Sequence, residues 1–292
     1  MSLYTHLIDR VSWTGPASPD AATSAIAALE RGDVVFFSSL RFVVDRSEAR
    51  LVTPSILGSS KNASFDPATE RVGGTTATGA DAQALQSLMR RFSDAAMALV
   101  TDVCPSYRSR IERRRASFRP AEIAGRRTTW RKDDTRLHVD SFPATPSGGK
   151  RILRVFTNVN PDGRARSWRI GDDFEAVASR FAPQLRTPLP GSGRLLRLFR
   201  ITKTTRSAYD ALMLQLHDRM KADEDFQAHA PQTAVDFPAG STWMAFTDQV
   251  SHAAMAGQYQ LEQTFLLPVA AMSEPQRSPL RILERIKGRR LA

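Results

Sequence analysis

The amino-acid sequence predicts an α+β fold, an antiparallel β core carrying helices. Two observations lead there. Helical periodicity comes early: Leu85, Leu88, Met89, Phe92, Ala95, Ala96 and Leu99 recur at helical spacing, predicting a helix over residues 81–102. Strand-length apolar runs come later, at residues 135–141, 151–158, 195–201, 242–246 and 263–269. An earlier helix over 20–31 stops at Gly32, and 33–38 (DVVFFS) follows as a buried strand. Residues 54–79, rich in Ser, Thr, Asn and Gly, are expected to form a long loop. Residues 174–181 and 207–221 are expected to be helices between the later strands. No internal repeat is present.

The chain has 292 residues, enough to bury a sizeable core in one large domain or two small ones. Forty-one Lys and Arg against thirty Asp and Glu give a net charge of +11. Such an excess calls for an anionic partner: nucleic acid, an anionic membrane surface, or a phosphorylated or carboxylated substrate. A single cysteine, Cys104, excludes an intrachain disulfide and any cysteine-rich zinc or iron–sulfur site. Residues 1–15 lack the apolar region of a signal peptide, and no stretch approaches the ~18 uncharged apolar residues of a bilayer span. A cytoplasmic protein is expected, attached at most peripherally to the inner membrane.

The feature that carries chemistry is Arg136-Leu137-His138-Val139-Asp140. Residues i and i+2 of a strand face the same way, so an imidazole and a carboxylate project toward one point. With a distant histidine this is the 2-His-1-carboxylate facial triad, which leaves coordination sites open for co-substrate and oxygen. Of the five histidines, His252 stands late in the chain beside a strand pair and is the candidate third ligand. An HxD pair alone is weak, since a surface hydrogen-bonded pair has the same spacing. On the next strand, Leu153, Val155, Thr157 and Val159 share one face, while Ile152, Arg154, Phe156 and Asn158 share the other. A mid-strand arginine is costly to bury without an anion. Arg154 therefore pairs either with a dicarboxylate co-substrate or with an acidic side chain.

Asp133-Asp-Thr-Arg-Leu-His-Val-Asp-Ser-Phe-Pro, followed by Gly-Lys-Arg-Ile-Leu-Arg-Val-Phe-Thr-Asn-Val-Asn-Pro, resembles the Kdo hydroxylases. These bacterial enzymes hydroxylate carbon 3 of 3-deoxy-manno-octulosonic acid (Kdo) on the lipid A core of lipopolysaccharide. The resemblance runs from about Ala27 to Val269 and is most specific in the central segment. It implies a double-stranded β-helix (jelly-roll) core flanked by helices. It implies Fe(II), 2-oxoglutarate and O2 as cofactors, with His138, Asp140 and His252 as metal ligands. The products would be succinate, CO2 and a hydroxylated Kdo–lipid A glycolipid. Many related dioxygenases place a co-substrate arginine about ten residues after the last histidine; here Gln263 and Thr264 occupy that region. The resemblance therefore leaves Arg154 as the expected anchor of the 2-oxoglutarate carboxylate, with Arg119 and Arg127 as alternatives.

Two other readings fit the charge. A nucleic-acid demethylase of the same chemistry needs aromatics to hold a flipped base, and the basic span 108–131 offers few beyond Phe118 and Trp130. A non-enzymatic nucleic-acid or membrane-binding protein would carry recognition signatures that are absent here. Residues 1–272 are expected to form one dioxygenase domain, and 273–292 a basic amphipathic tail. In that tail Pro279 stands at a helix start, and Leu280, Ile282, Leu283, Ile286 and Leu291 gather on one face. The tail is expected to lie in an anionic membrane interface, the alternative being that it packs on the barrel.

Overall fold

The computed structural model describes residues 5–189 and 191–292. In chain order the elements are β1 (Thr5–Leu7), α1 (Pro19–Arg31), β2 (Val34–Phe37), β3 (Ala63–Asp66), β4 (Arg71–Gly73), α2 (Gly79–Val103), β5 (Glu112–Arg119), β6 (Arg151–Asn158) and β7 (Arg166–Gly171). They continue with α3 (Phe174–Phe181), α4 (Ser192–Leu198), α5 (Ala208–Ala222), α6 (Glu224–His229), β8 (Gln232–Phe237), β9 (Thr242–Phe246), β10 (His252–Ala256), β11 (Gln260–Leu267) and α7 (Pro279–Lys287).

The strands form a jelly roll of two sheets. The larger has the order β1-β2-β9-β6-β11-β5-β3-β4, and the smaller β10-β7-β8. From β6 onward the chain passes back and forth between them, β6, β9 and β11 lying in the large sheet and β7, β8 and β10 in the small one. Strand alternation divides the core in two. Leu153 and Val155 of β6 and Leu261 and Phe265 of β11 face outward onto the apolar stripe of α2, including Leu88, Phe92 and Leu99. Phe156 faces inward with Trp168, Phe237 and Trp243. Phe237 and Trp243 stack at 4.0 Å, and Trp168 meets Trp243 edge-on at 5.7 Å, giving the barrel a stiff aromatic floor.

One buried acid ties α5 to the barrel mouth. Ser207 and Asp210 form a capping box at the start of α5. The other oxygen of Asp210 accepts the Ser147 and Gly148 backbone N–H groups at 2.9 and 3.1 Å, holding the loop that follows Asp140.

Several expectations are corrected. Residues 135–141 are not a regular strand: the chain makes a single bridge, His138 to His252, and the Asp140 N–H then turns to the Thr247 carbonyl at 2.7 Å. Of residues 195–201, Leu195 to Leu198 belong to helix α4, and the chain then turns at Arg200, whose left-handed φ of 56° suits neither a helix nor a strand. The expected loop 54–79 contains the β3–β4 hairpin, whose β3 pairs with β5. Strands β5, β7, β8 and β10 are additional to those expected.

The C-terminal tail is not a free appendage. Helix α7 begins as expected, with Pro279 in its first turn and Ser278 capping it. Its apolar face is already covered, with Leu280, Ile282, Leu283 and Leu291 buried in the main core. The Leu291 carbonyl accepts the Tyr209 N–H at 3.0 Å, fixing the chain end to α5. With these four buried and Ile286 packed partly against the core, no open apolar stripe is left to enter a lipid interface. Leu283→Ala should accordingly lower the unfolding free energy by about 2–5 kcal/mol, the cost of a core leucine, measured by urea denaturation.

Candidate active site

His138 and His252 face each other across the single bridge, exchanging backbone hydrogen bonds of 3.0 and 2.9 Å. Each ring is fixed by its own chain. Nδ1 of His138 donates to the Arg136 carbonyl and Nδ1 of His252 to the Val250 carbonyl, both at 2.8 Å. A carbonyl can only accept, so Nδ1 carries the proton in each ring and the Nε2 lone pair is free. Nε2 of His138 stands 3.8 Å from Oδ1 of Asp140. One ligand atom from each of His138, Asp140 and His252 lies within 4.8 Å of the others. The rings are held from behind by Trp168, stacked on His252 at 5.1 Å, and by His217, edge-on to His138 at 5.4 Å.

The electrostatics suit metal ligation. Burial, with His252 and Lys221 nearby, holds the His138 imidazole well below the usual histidine range, and burial lowers His252 likewise. Burial alone would raise Asp140, but Arg154 and the two imidazoles hold its carboxyl below the usual carboxylate range. The site therefore presents two neutral nitrogens and one carboxylate.

Around this centre is a shell of charge. Arg154 contacts Glu262 at 2.5 Å and Asp140 at 3.0 Å. Arg119 contacts Glu262 at 3.1 Å and reaches toward Asp134 at 3.8 Å. Burial would raise the Glu262 carboxyl, but the two arginines more than offset it. The cavity over the three candidate ligands measures about 390 Å³. It adjoins a groove of about 490 Å³ that shares Arg119, Arg154, Phe142 and Glu262 and is rimmed by Arg114 and Lys203. Those two rim cations have no carboxylate partner among the described residues.

Two further cations in the cavity wall are buried and unpaired. Arg166 and Lys221 are each 2% exposed, and neither has a carboxylate at ion-pair distance among the described residues. Arg166 donates to the Gly257 carbonyl at 2.7 Å, and its Nε has no partner. Burial and the charge of Arg119 push its guanidinium down to about 10. Lys221 donates to the Arg131 carbonyl at 3.2 Å, and burial lowers its ammonium below the ordinary lysine value.

A family model for 3-deoxy-D-manno-oct-2-ulosonic acid (Kdo) hydroxylase matches residues 12–290. The chain belongs to the Kdo hydroxylase family. It is similar to crystal structures of the Kdo hydroxylase KdoO, a non-heme Fe(II) alphaketoglutarate-dependent dioxygenase. The complex with alphaketoglutarate and Fe(III) is 45% identical, with 99% of this chain and 97% of that chain covered and a TM-score of 0.95. The cobalt(II) complex is 45% identical with the same coverage and a TM-score of 0.96. The apo structure is 46% identical, with 98% and 97% covered and a TM-score of 0.95. No curated protein matches the chain significantly.

In this Kdo hydroxylase family member the expected residues divide. His138, Asp140, His252, Arg154 and Arg119 line one cavity, and Thr264 lines the adjoining groove. Gln263 does not face the site: alternation turns it to the opposite side of β11, where its Nε2 donates to the Arg114 carbonyl at 2.7 Å. Arg127 is exposed on a loop and does not line the cavity. Glu262, Arg166, Trp168, His217 and Lys221 complete the wall without having been expected there. The last two carried a signal, the i, i+4 spacing that places them on one face of α5. Glu262 is the hinge of the charge shell, since its removal leaves two guanidinium groups short of a partner. Glu262→Ala should destabilise the protein by about 3–5 kcal/mol in urea denaturation, well beyond the effect of an ordinary surface change.

Proposed function

We propose that this chain hydroxylates carbon 3 of a Kdo sugar on lipid A, converting 2-oxoglutarate and O2 to succinate and CO2. The observation that carries the reading is one cavity holding the His138–Asp140–His252 donor set together with two buried cations that lack counter-ions. The donor set fits ferrous iron, which His138, Asp140 and His252 would hold through two Nε2 lone pairs and one carboxylate. When bound, iron would supply the O2 activation that couples decarboxylation of 2-oxoglutarate to hydroxylation of a C–H bond.

The protein's own part is to bind, orient and exclude water. Arg154 steadies the Asp140 carboxylate through its contacts with Asp140 and Glu262, although its Nε has no partner. Arg166 is the better anchor for the distal carboxylate of 2-oxoglutarate, because it is buried in the cavity wall and, unlike Arg154, has no carboxylate at ion-pair distance among the described residues. It sits on the same face of β7 as Trp168, two residues and about 7 Å along the strand from the residue that stacks on His252. Phe156 and Trp168 keep the floor dry. The adjoining groove, with Arg114 and Lys203 at its rim, suits an anionic sugar acid. A lipid-linked acceptor requires work at a membrane surface, and no helix among the described residues is long and apolar enough to cross one.

The nucleic-acid reading loses its main support, because much of the basic span is already paired. Arg113, Arg115 and Arg131 contact Asp94, Asp66 and Asp218. The purified iron-loaded protein should add one oxygen atom to Kdo–lipid A with an equal amount of succinate formed. Oxygen transfer to a methylated oligonucleotide and not to the glycolipid would reverse the assignment. Arg166→Lys keeps the charge but loses the fork. It should raise the 2-oxoglutarate concentration for half-saturation at least tenfold, the size of a lost charge-assisted hydrogen bond of about 1.5–3 kcal/mol. An unchanged titration in Arg166→Lys with a weakened one in Arg154→Lys would return the role to Arg154.

A further inference from the structure

Among the described residues, eight large apolar side chains are exposed, and five of them fall within thirteen residues: Leu189, Leu195, Leu198, Phe199 and Ile201. Leu189, Leu198 and Phe199 are 81%, 72% and 71% exposed. Singly exposed apolar residues are ordinary, but a cluster of this kind marks an interaction surface. The same stretch, residues 186–206, contains Arg186, Arg194, Arg197, Arg200, Lys203 and Arg206 and no Asp or Glu.

The stretch is a hook standing on the active-site mouth. Helix α4 ends at Leu198, Arg200 takes a left-handed conformation with φ of 56°, and the Ile201 N–H returns to the Leu196 carbonyl at 2.9 Å. Its two limbs touch at Gly193: a Cβ there would stand 2.0 Å from the Arg206 carbonyl oxygen, so only glycine fits. Its base is fastened to the loop after Asp140. The Lys203 N–H donates to the Ala144 carbonyl at 2.9 Å, and Arg206 Nη2 donates to the Pro143 carbonyl at 2.6 Å. Pro143 and Phe142 themselves line the cavity over the three candidate metal ligands.

We infer that this hook is a membrane-docking element that seats the active-site mouth on an anionic lipid bilayer. Charge complementarity selects that occupant. Arginine and lysine interleaved with Leu, Phe and Ile suit an interface in which guanidinium groups meet lipid phosphates while apolar side chains enter the acyl boundary. A second copy of this chain would set the same six cations against themselves with no acid between them, which opposes self-association. The C-terminal helix cannot serve instead, because its apolar face lies in the core. The inference deepens the proposed function: it rests on the acceptor being lipid-linked, and it brings the opening of the site to where such an acceptor lies.

The test is co-sedimentation of the full-length protein, without substrate, with vesicles of phosphatidylglycerol and phosphatidylethanolamine. Binding is expected at low salt, falling as salt rises and absent with phosphatidylcholine alone. The exposed double variant L198E/F199E and the charge variant R194S/R197S should each weaken binding at least tenfold while retaining the wild-type circular dichroism spectrum. Wild-type binding by both variants, or no binding of the full chain at low salt, overturns the inference. So does a loss of self-association in the variants with vesicle binding unchanged, which would assign the patch to a second copy. Because vesicle binding is read without turnover, it is separate from the functional reading. L198E/F199E should still hydroxylate a soluble, delipidated Kdo acceptor at the wild-type rate, and failure of the wild type on every Kdo acceptor would strike the functional reading alone.

Discussion

The cost of burying ionised side chains in one end of a β-barrel organises this molecule. An unpaired ion in a protein interior costs several kcal/mol even after relaxation, and removing one member of a buried pair is among the most damaging of changes. The barrel mouth nevertheless holds Arg119, Arg154, Arg166, Lys221, Asp140 and Glu262 around two imidazoles. Most of these charges answer one another: Glu262 joins Arg119 to Arg154, and Arg154 joins Glu262 to Asp140. Arg166 and Lys221 are left over, and a metal-chelated dianion with an acidic sugar is the ligand set that would complete them.

Such a shell works only if its members stay put, and the two cores see to that. Glu262 lies on β11, which is hydrogen-bonded to β5 on one side and β6 on the other. The strand carrying the shared carboxylate thus lies between the strands carrying the two arginines. Outward-facing residues of the same strands, such as Leu153, Val155 and Phe265, are locked against the helices. Inward-facing aromatics stack beneath the site. Arg119, Arg154 and Glu262 therefore sit on strands whose other faces are fixed by packing, which is how a site holds its geometry before its ligands arrive.

Two of the three candidate ligands were legible in the sequence because they stand two residues apart. His138 and Asp140 stand two residues apart and come within 3.8 Å although their segment is not a regular strand, and alternation along β6 puts Arg154 and Phe156 on one face. What could not be read depends on register between distant strands. Glu262 becomes a partner of Arg154 only once β11 lies beside β6, and Arg166 becomes a cavity residue only once β7 crosses to the smaller sheet. Spacing from the last histidine singled out Gln263 and Thr264, yet a strand shows its neighbours opposite faces, so Thr264 lines the groove with Glu262 while Gln263 turns away. The tail shows the reverse error. Its amphipathic pattern was real, but a pattern says that one face will be covered and not by what. The exposed apolar hook at α4 passed for a strand because its leucines and arginines were read as a run and not by their spacing.

The central claim is that His138, Asp140 and His252 together form one metal site. Equilibrium dialysis of the full-length protein against cobalt(II), an ion seen bound in the relative KdoO, followed by metal analysis, tests it most directly. The account predicts about one tightly held equivalent per chain in the wild type. It predicts its loss in His138→Ala, Asp140→Ala and His252→Ala, each folded by circular dichroism, because a three-donor site cannot spare a ligand. A full equivalent held with wild-type affinity by any one of the three variants would contradict it.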